Sequence, residues 1–218
     1  MKSISSLVIK RLFDVSLVAL AIPIWLPVLC VIAVVVRCGL GSPVFFVQDR
    51  PGYRARVFKL RKFRTMTEAK VLGGELLPDS ERQTPLGNWL RSTSLDEIPE
   101  LVNVLVGEMS LVGPRPLLTR YLEHYTAEQS RRHEVPPGLT GWAQIHGRNA
   151  ITWEQKFAMD LWYVDHRSLM LDIKIVWWTL VKVMRREGIN ADGGGMMPEF
   201  RGSLTEQKPG GRNQRSAL

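Results

Sequence analysis

The chain has 218 residues, which suits one ordinary domain with an appendage and excludes two large domains. Its 29 lysines and arginines against 21 aspartates and glutamates give a net charge of +8, so we expect a polyanionic partner: nucleic acid, anionic lipid or a nucleotide-sugar diphosphate. Two cysteines and four scattered histidines exclude a disulfide framework and predict no transition-metal site.

A long apolar run over residues 12–36 has Asp14 as its only charge. As a straight helix it would extend about 37 Å, enough to cross a hydrocarbon core of ~30 Å. However, Pro23 and Pro27 each remove a backbone hydrogen bond in the middle of the run, and basic residues flank both of its ends. We therefore predict a re-entrant helix-break-helix over residues 1–40, broken at the two prolines, with both ends in the cytoplasm. A proline-kinked spanning anchor is the alternative.

Shorter elements follow the membrane segment. Residues 42–66 alternate apolar and basic side chains around Pro51-Gly52, which predicts a β-hairpin. Apolar side chains at helical spacing, bounded by glycine or proline, predict three further helices, over residues 96–106, 117–134 and 153–166.

The last helical segment, residues 169–186, is amphipathic. Its polar side chains share one face and are Asp172, Thr179, Lys182 and Arg186. Tryptophans and aliphatic side chains cover most of the remainder, which predicts a helix in the bilayer interface, with an ordinary core helix as the alternative. Beyond it, glycines and scattered charges predict a mostly flexible tail over residues 191–218. We therefore expect an α+β fold, mainly helical, in which the hairpin and the interfacial helices pack as one domain over residues 41–190.

An acidic pair, Asp96-Glu97, stands at the start of the first predicted helix. The structural interpretation is that the pair only begins this helix. Ser94 and Glu97 match a capping box, and Asp96 is itself a good N-cap residue. Pro99 favours a helix start near Asp96.

The chemical interpretation is that an ionised aspartate attacks phosphorus. A carboxylate and a phosphate about 4 Å apart repel each other by roughly 4 kcal/mol at an effective dielectric constant near 20, so such a site needs cations. Mg²⁺ bridging diphosphate oxygens to a carboxylate would complete the neutralisation. The basic candidates near glycine and proline turns are Lys62, Arg91, Arg115 and Arg148.

Seven motifs follow one another along the chain: Lys10-Arg-Leu-Phe-Asp14, Gly41-Ser-Pro-Val-Phe-Phe, Gln48-Asp-Arg-Pro-Gly52, Lys62-Phe-Arg-Thr-Met66, Ser94-Leu-Asp-Glu97, Asn103-Val-Leu-Val-Gly-Glu-Met-Ser-Leu-Val-Gly-Pro-Arg-Pro116 and Pro137-Gly-Leu-Thr-Gly-Trp-Ala-Gln144. Together they resemble the bacterial sugar transferases known as monotopic phosphoglycosyl transferases. The likeness runs from about Lys10 to Ile189. It is closest to small, single-domain members that start glycan assembly in protein glycosylation or exopolysaccharide pathways.

The resemblance implies a Mg²⁺-dependent enzyme on the cytoplasmic face of the bacterial inner membrane, with residues 41–190 as its catalytic domain. It would transfer a phosphosugar from a UDP-sugar to polyprenyl phosphate, which is undecaprenyl phosphate in bacteria, and release UMP. The small size suggests an N-acetylated amino sugar. Asp96 would be the nucleophile that carries the phosphosugar, and Glu97 would help with metal or proton handling. The metal ligands would be Asp96 and Glu97, and the residues around the phosphates would be Lys62, Arg91, Arg115 and Arg148.

Two other functions stay open, and the chain departs from the family at one point. Close relatives often break the membrane helix with Ser-Pro, whereas Leu26 precedes Pro27 here. The first alternative function is a membrane-anchored basic binding protein. We expect no nucleic-acid partner, because the aromatic residues cluster with apolar stretches and do not interleave with basic ones. The second alternative is a glycosyltransferase that moves only the sugar and releases UDP. The oligomeric state is open, a homodimer included.

Overall fold

The computed structural model of the protein describes residues 4–68, 77–147, 151–185 and 199–202. Within these residues the fold is α+β and mainly helical, as the sequence predicts. The helices are α1 (Ile4–Leu20), α2 (Ile22–Leu40), α3 (Asp79–Arg82), α4 (Pro85–Ser92), α5 (Glu100–Val106), α6 (Ala127–Ser130), α7 (Trp142–His146), α8 (Trp153–His166) and α9 (Leu169–Arg185). The strands are β1 (Phe45–Pro51), β2 (Val57–Phe63), β3 (Ser110–Val112) and β4 (Gly138–Thr140).

The N-terminal segment is interrupted at Ala21, between α1 and α2. Pro23 lies in the first turn of α2. A backbone N–H at this position has no acceptor within the helix, so the proline removes no helical hydrogen bond there. Pro27 lies inside α2, so the break that we predicted at both prolines occurs only beside the first. The Trp25 indole donates to the Val18 carbonyl at 3.0 Å and so satisfies a carbonyl at the end of α1.

Both helices carry exposed apolar side chains. In the part of the chain that is described, α2 is the one helix long and apolar enough to cross a membrane. Its exposed apolar side chains include Ile24, Val31 and Val34.

A buried network of charged and hydroxyl groups holds α1 against the rest of the protein. Lys10 Nζ lies 2.7 Å from a carboxylate oxygen of Asp172 on α9 and 3.9 Å from one of Asp14. Ser110 on β3 donates to Asp14 at 2.7 Å, and the Tyr163 hydroxyl on α8 donates to Asp172 at 2.7 Å. Four elements that are distant in sequence therefore meet around one buried ammonium.

Further contacts fix both ends of the N-terminal segment to the same domain. The Arg11 guanidinium on α1 donates to the carbonyls of Val104 and Leu105 at the end of α5. At the other end, Ile32 and Val36 of α2 pack with residues of β2 and α4 in one apolar cluster. Between these attachments, Val18 and Trp25 pack with the main core cluster.

The predicted hairpin is confirmed. Strands β1 and β2 pair antiparallel, with Phe45 opposite Phe63. Asn103 of α5 covers the outer edge of β2: its side chain accepts from the Arg61 amide at 3.2 Å and donates to the Lys59 carbonyl at 2.8 Å. These two hydrogen bonds fix the position of α5 against the hairpin.

The sequence periodicity does not predict the short parallel pair of strands β3 and β4. Its close approach depends on Gly138, where an added Cβ would lie 2.0 Å from the Gly113 amide nitrogen. The pairing places the segment that leads into Pro114-Arg115 beside the segment that leads into α7.

Two predicted helices form differently. The helix expected over residues 96–106 begins only at Glu100, because the chain first forms a 3-10 turn and then passes Pro99. The helix expected over residues 117–134 is divided into a 3-10 turn, the four-residue α6 and a second 3-10 turn. The division occurs because the Thr126 and Gln129 side chains form a capping box that starts a new helix.

The C-terminal helices α8 and α9 lie where the sequence predicts them. On α9 the polar residues face inward: Asp172 is buried, and Thr179 is hydrogen-bonded to Thr140 at 2.7 Å. Trp177 and Trp178 are 63% and 52% exposed, so α9 is not an ordinary core helix. Its apolar face is free for the bilayer interface.

One part of the predicted tail packs against the domain. Phe200 is buried among aromatic side chains of the 117–134 region and of α8. Glu199 also lies 2.7 Å from Arg120. Apart from residues 199–202, the predicted tail lies outside the described residues, as does Arg186.

We expect Lys10→Met to lower the free energy of unfolding by about 3 to 5 kcal/mol, because Asp14 and Asp172 would then be buried without a cation. Adding Asp172→Asn should restore part of this loss. Denaturant unfolding in detergent measures both effects.

The matched control is Lys59→Met, which removes an exposed ion pair with Asp49 and should change stability by less than about 1 kcal/mol. Equal stability of the two single variants would contradict a structural role for the Lys10 network.

Candidate active site

The acidic pair lies on a 3-10 turn, Leu95–Glu97, between α4 and α5. Ser94 before the turn has a left-handed backbone (φ 56°), and its side chain caps nothing, so the capping-box interpretation is wrong. The N-cap position of α5 belongs to Pro99 and not to Asp96. The two carboxylates therefore do not serve to start the helix.

Apolar contacts on both sides of the pair fix the position of this turn. Leu95 and Ile98 pack against the cluster that α2 forms with β2 and α4. Because the apolar side chains point into this cluster, the carboxylates between them point the opposite way. Helix α2 is thus part of the support of the acidic turn.

Glu97 is held by two cations. Lys62 donates to Glu97 Oε1 at 2.6 Å, and Arg115 donates to the same oxygen. Burial opposes ionisation of Glu97, but the charges of Arg115 and Lys62 outweigh it and hold the pKa of this carboxyl well below its usual range. Glu97 is therefore a permanent anion at physiological pH.

Asp96 is in a different state from its neighbour. It is 9% exposed and forms no hydrogen bond or ion pair with the residues that the structure describes. Burial and then the charge of Glu97 raise its pKa to about 6, against the opposing charges of Lys62, Arg115 and Arg91. At pH 7.5 Asp96 is thus mostly ionised, and no donor in the described part of the chain binds its oxygens.

The other predicted basic residues are only partly brought together. Lys62 and Arg115 reach the acidic pair directly. Arg91 donates through Nε to the Thr65 hydroxyl at 3.0 Å, and its charge acts on Asp96. Arg148 lies outside the described residues.

A shallow cavity adjoins the Pro-Arg-Pro turn. Its lining residues are Pro51, Gly52, Pro114, Arg115, Pro116, Arg132, His133, Val135 and Pro137. Its volume is about 10 Å³, room for about one water molecule and far below the roughly 300 Å³ or more of typical small-molecule sites. Burial lowers the pKa of His133 to about 4, so this imidazole is neutral at physiological pH, and its Nε2 has no hydrogen-bond partner.

The acidic pair fits a Mg²⁺ ion in part. Among the described residues no group of three His, Cys, Asp or Glu side chains could hold a metal. However, Mg²⁺ is commonly held by one or two carboxylates together with substrate phosphates and water. Asp96 has free oxygens for this purpose, while one oxygen of Glu97 is already bound to Lys62 and Arg115. The donor set therefore suits a metal that arrives with a diphosphate.

Sequence reasoning missed two buried charged residues beside the site. Glu100 is 2% exposed, and its Oε1 lies 3.1 Å from Lys62 Nζ. Burial and the charge of Glu97 raise the pKa of Glu100 to about 7. Arg132 is also buried and donates to the Arg115 carbonyl at 2.7 Å. One feature of the sequence could have identified Glu100 as buried: it lies one helical turn before Asn103, on the inner face of α5.

Comparisons with known proteins agree with the motifs. The sequence model of the family described as "Bacterial sugar transferase" matches residues 5–186. The chain is 50% identical over 197 residues to "Uncharacterized sugar transferase EpsL" of Bacillus subtilis strain 168. It is 40% identical over 184 residues to the UDP-glucose:undecaprenyl-phosphate glucose-1-phosphate transferase of Escherichia coli strain K12. It is 36% identical over 196 residues to "Exopolysaccharide production protein ExoY" of Sinorhizobium fredii.

The extent of these matches differs. The alignment covers 90% of this chain and 98% of the Bacillus protein, and 82% of this chain and 87% of the Sinorhizobium protein. It covers 80% of this chain but only 40% of the Escherichia protein. The chain thus spans less than half the length of the relative whose name states a reaction.

Substitutions in the acidic pair should change stability in opposite directions. We expect Asp96→Asn to raise the free energy of unfolding at pH 7.5 by about 1 to 3 kcal/mol, because its folded pKa lies above the unfolded value and ionisation above that pKa opposes folding. Glu97→Gln should lower it by about 2 kcal/mol, because Lys62 and Arg115 lose their shared anion.

Denaturant unfolding at pH 7.5 and pH 4.5 measures this pair of effects. The gain from Asp96→Asn should shrink at pH 4.5, where the folded protein already protonates Asp96. A destabilised Asp96→Asn protein at pH 7.5 would contradict the assignment of an unpartnered buried charge.

Proposed function

The chain belongs to the bacterial sugar transferase family, and we propose that it transfers a phosphosugar from a UDP-sugar to polyprenyl phosphate and releases UMP. The proposal rests on one observation: the two carboxylates of the acidic pair differ in their partners. Glu97 holds two cations, whereas Asp96 is buried, is ionised above its pKa of about 6 and has no partner among the described residues. A carboxylate in this state is available as a nucleophile.

The reaction proceeds by two displacements at one phosphorus atom. First, an oxygen of Asp96 bonds to the sugar-linked phosphorus, and the bond from this phosphorus to UMP breaks, its electron pair leaving with UMP. Then an oxygen of polyprenyl phosphate bonds to the same phosphorus, and the bond to Asp96 breaks. The carboxylate is restored, and the product is a polyprenyl diphosphate sugar.

The surrounding charges make the approach of a diphosphate to Asp96 feasible. The repulsion of roughly 4 kcal/mol between two unit charges at about 4 Å corresponds to about a thousandfold in rate. Lys62, Arg115 and Arg91 lie on the sides of Asp96 and offset this repulsion. We propose that Asp96 and Glu97 also hold Mg²⁺ together with the diphosphate, which supplies further neutralisation of phosphate oxygens. We assign Arg148 to the phosphates as well, from its motif alone.

The packing of the N-terminal segment supports a re-entrant position in the cytoplasmic leaflet. Lys10 and Arg11 near its start and Ile32 and Val36 near its end all contact the same domain. A spanning helix would separate these two ends by a whole bilayer. The ten residues from position 22 to 31 extend about 15 Å, half of a ~30 Å hydrocarbon core.

We propose an N-acetylated amino sugar as the group transferred with the phosphate, in protein glycosylation or exopolysaccharide assembly. Its support is the size of the chain, which nearly matches the small Bacillus relative. The Escherichia relative, whose name states glucose, is more than twice as long as the aligned region. Glucose is therefore the main competing donor to include in a panel.

We expect the purified protein in lipid, given Mg²⁺ and a UDP-sugar without polyprenyl phosphate, to release about one equivalent of UMP. It should gain the mass of one phosphosugar on Asp96. Adding polyprenyl phosphate should remove this mass and allow turnover. Intact-protein and peptide mass spectrometry, run with a panel of UDP-sugars, locates the adduct and names the donor.

The control is Asp96→Asn, which keeps the shape of the side chain and should release no UMP. UDP as the product would mean plain glycosyl transfer, and no nucleotide release with any donor would favour a binding protein. Release of UMP without a protein adduct would remove Asp96 from the nucleophile role.

The re-entrant arrangement predicts that both ends are reached from the cytoplasmic side only. In a Cys30→Ser background, Cys38 at the end of α2 is the remaining thiol. We expect a membrane-impermeant maleimide to label it in inverted vesicles but not in intact spheroplasts. A protease-cleavable tag before Met1 should be cut with the same sidedness. Cleavage of the tag in spheroplasts would instead show a spanning helix.

A further inference from the structure

Four aromatic side chains surround Phe200. Phe200 is 3% exposed, and its ring centroid lies 5.1 to 5.8 Å from the centroids of these four rings. The rings, which we call the aromatic pocket, belong to Tyr121, Tyr125, Trp153 and Phe157. The family's sequence model matches residues 5–186, so the side chain that fills this pocket lies beyond the matched region.

Two rings of the aromatic pocket also contact a buried guanidinium, that of Arg132. Its central carbon lies 5.9 Å from the ring centroid of Tyr125 and 5.8 Å from that of Phe157, which is within the range of cation-π attraction. Arg132 also donates through Nη1 to the Tyr125 hydroxyl at 3.4 Å. Phe200 and Arg132 are therefore packed against the same two rings.

Direct contacts connect Arg132 in turn with the acidic pair. Arg132 is 3% exposed, and its Nη2 donates to the Asp160 carboxylate at 2.8 Å and to the Arg115 carbonyl at 2.7 Å. Arg115 donates from its guanidinium to Glu97. A continuous series of contacts thus leads from Phe200 through the shared rings and Arg132 to Arg115 and the acidic pair.

The segment that carries Tyr121 and Tyr125 depends on packing for its order. Over residues 117–134 the chain forms two 3-10 turns and the four-residue α6. Such short helical pieces are not stable without tertiary contacts. A buried aromatic ring contributes a large apolar area to such contacts. Phe200 therefore helps to fix the rings against which Arg132 lies.

We propose that Phe200 is a positioning residue for the transfer reaction: by filling the aromatic pocket it holds Arg132, which in turn fixes the Arg115 backbone and keeps the Arg115 guanidinium at Glu97. This inference rests on the proposed function, in which Arg115 offsets the charge of the incoming diphosphate. Displacement of a catalytic group by about 1 Å can cost on the order of 100-fold in rate. Phe200 thus acts on the site through Arg132 and without touching the substrate.

Single-turnover release of UMP tests this role, with the full chain in lipid, Mg²⁺, the UDP-sugar that the donor panel identifies, and no polyprenyl phosphate. We expect Phe200→Ala to lower the rate constant of UMP release about 10-fold, because Arg132 and Arg115 shift when the pocket is emptied. Phe200→Leu should keep most of the rate, since leucine still fills much of the pocket. The KM for polyprenyl phosphate in steady state should not change. If Phe200→Ala does not fold, Phe200→Val makes the same comparison.

A double-mutant cycle on the same rate constant tests the route through Arg132. Arg132→Lys keeps the positive charge beside Asp160 but loses the planar fork that also reaches the Arg115 carbonyl, so it should slow UMP release by itself. Adding Phe200→Ala should slow release by less than about twofold further, because both changes remove the same support of Arg115. Effects that multiply in the double variant would overturn the inference. If Arg132→Lys does not fold, Tyr125→Leu, which removes one of the shared rings, replaces it in the cycle.

Two controls separate this role from general stability. Ile175→Ala removes a fully buried side chain from the main core cluster, which contains no residue of the aromatic pocket. It should lower the unfolding temperature, as Phe200→Ala does, but leave the rate of UMP release within about twofold of wild type. Glu199→Gln removes the exposed ion pair with Arg120 and should change neither quantity. Equal slowing by Phe200→Ala and Ile175→Ala would overturn the inference.

Failure of this inference can be told apart from failure of the proposed function. Wild-type protein that releases UDP, or no nucleotide, overturns the proposed function and this inference with it. Wild-type protein that releases UMP, beside a Phe200→Ala protein that releases it equally fast, overturns the inference alone. A raised KM for polyprenyl phosphate with an unchanged rate of UMP release also overturns it, since Phe200 would then act on the acceptor.

Discussion

The arrangement of the protein depends on the burial of one ammonium group, that of Lys10, between the carboxylates of Asp14 and Asp172. A buried lysine is tolerated only when its charge is matched and its donors are used, so the geometry of its partners is tightly constrained. These partners come from α1 and α9. Ser110 donates to the Asp14 oxygen that faces Lys10, and Tyr163 donates to the other oxygen of Asp172. The polar faces of these two helices are thereby turned inward, and apolar side chains remain exposed on their outer faces.

This inversion suits the function that we propose, in which one chain serves a lipid acceptor and a water-soluble donor. The apolar cluster below the acidic turn is shared with α2, so the helix that we place in the bilayer also positions Leu95 and Ile98. Asp96, which lies between these two residues and which we propose as the nucleophile, would then be held at a fixed distance from the lipid surface. A polyprenyl phosphate whose tail lies in the membrane needs only to bring its headgroup to that height.

Much of this arrangement was predictable because it depends on local signals. The hairpin around Pro51-Gly52 and the helices α8 and α9 are periodic over their whole length, and the motifs identified the acidic pair. The division of the 117–134 region was not predictable, because there a local capping box and long-range aromatic packing outweigh helical periodicity. Glu100 and Arg132 were missed for a related reason. Their character comes from burial beside groups far away in sequence, and burial of a charged residue leaves no mark in the sequence itself.

The unequal state of the two neighbouring carboxylates has a physical explanation. Glu97 binds both Lys62 and Arg115. Asp96 is buried, yet it has no partner among the described residues. If the site served stability alone, the two cations could be shared between both carboxylates, so that each charge was balanced. Instead Glu97 and its two cations form a balanced group beside an anion with free oxygens, and an electrophilic phosphorus of the kind that we propose as substrate is what such an anion can bind.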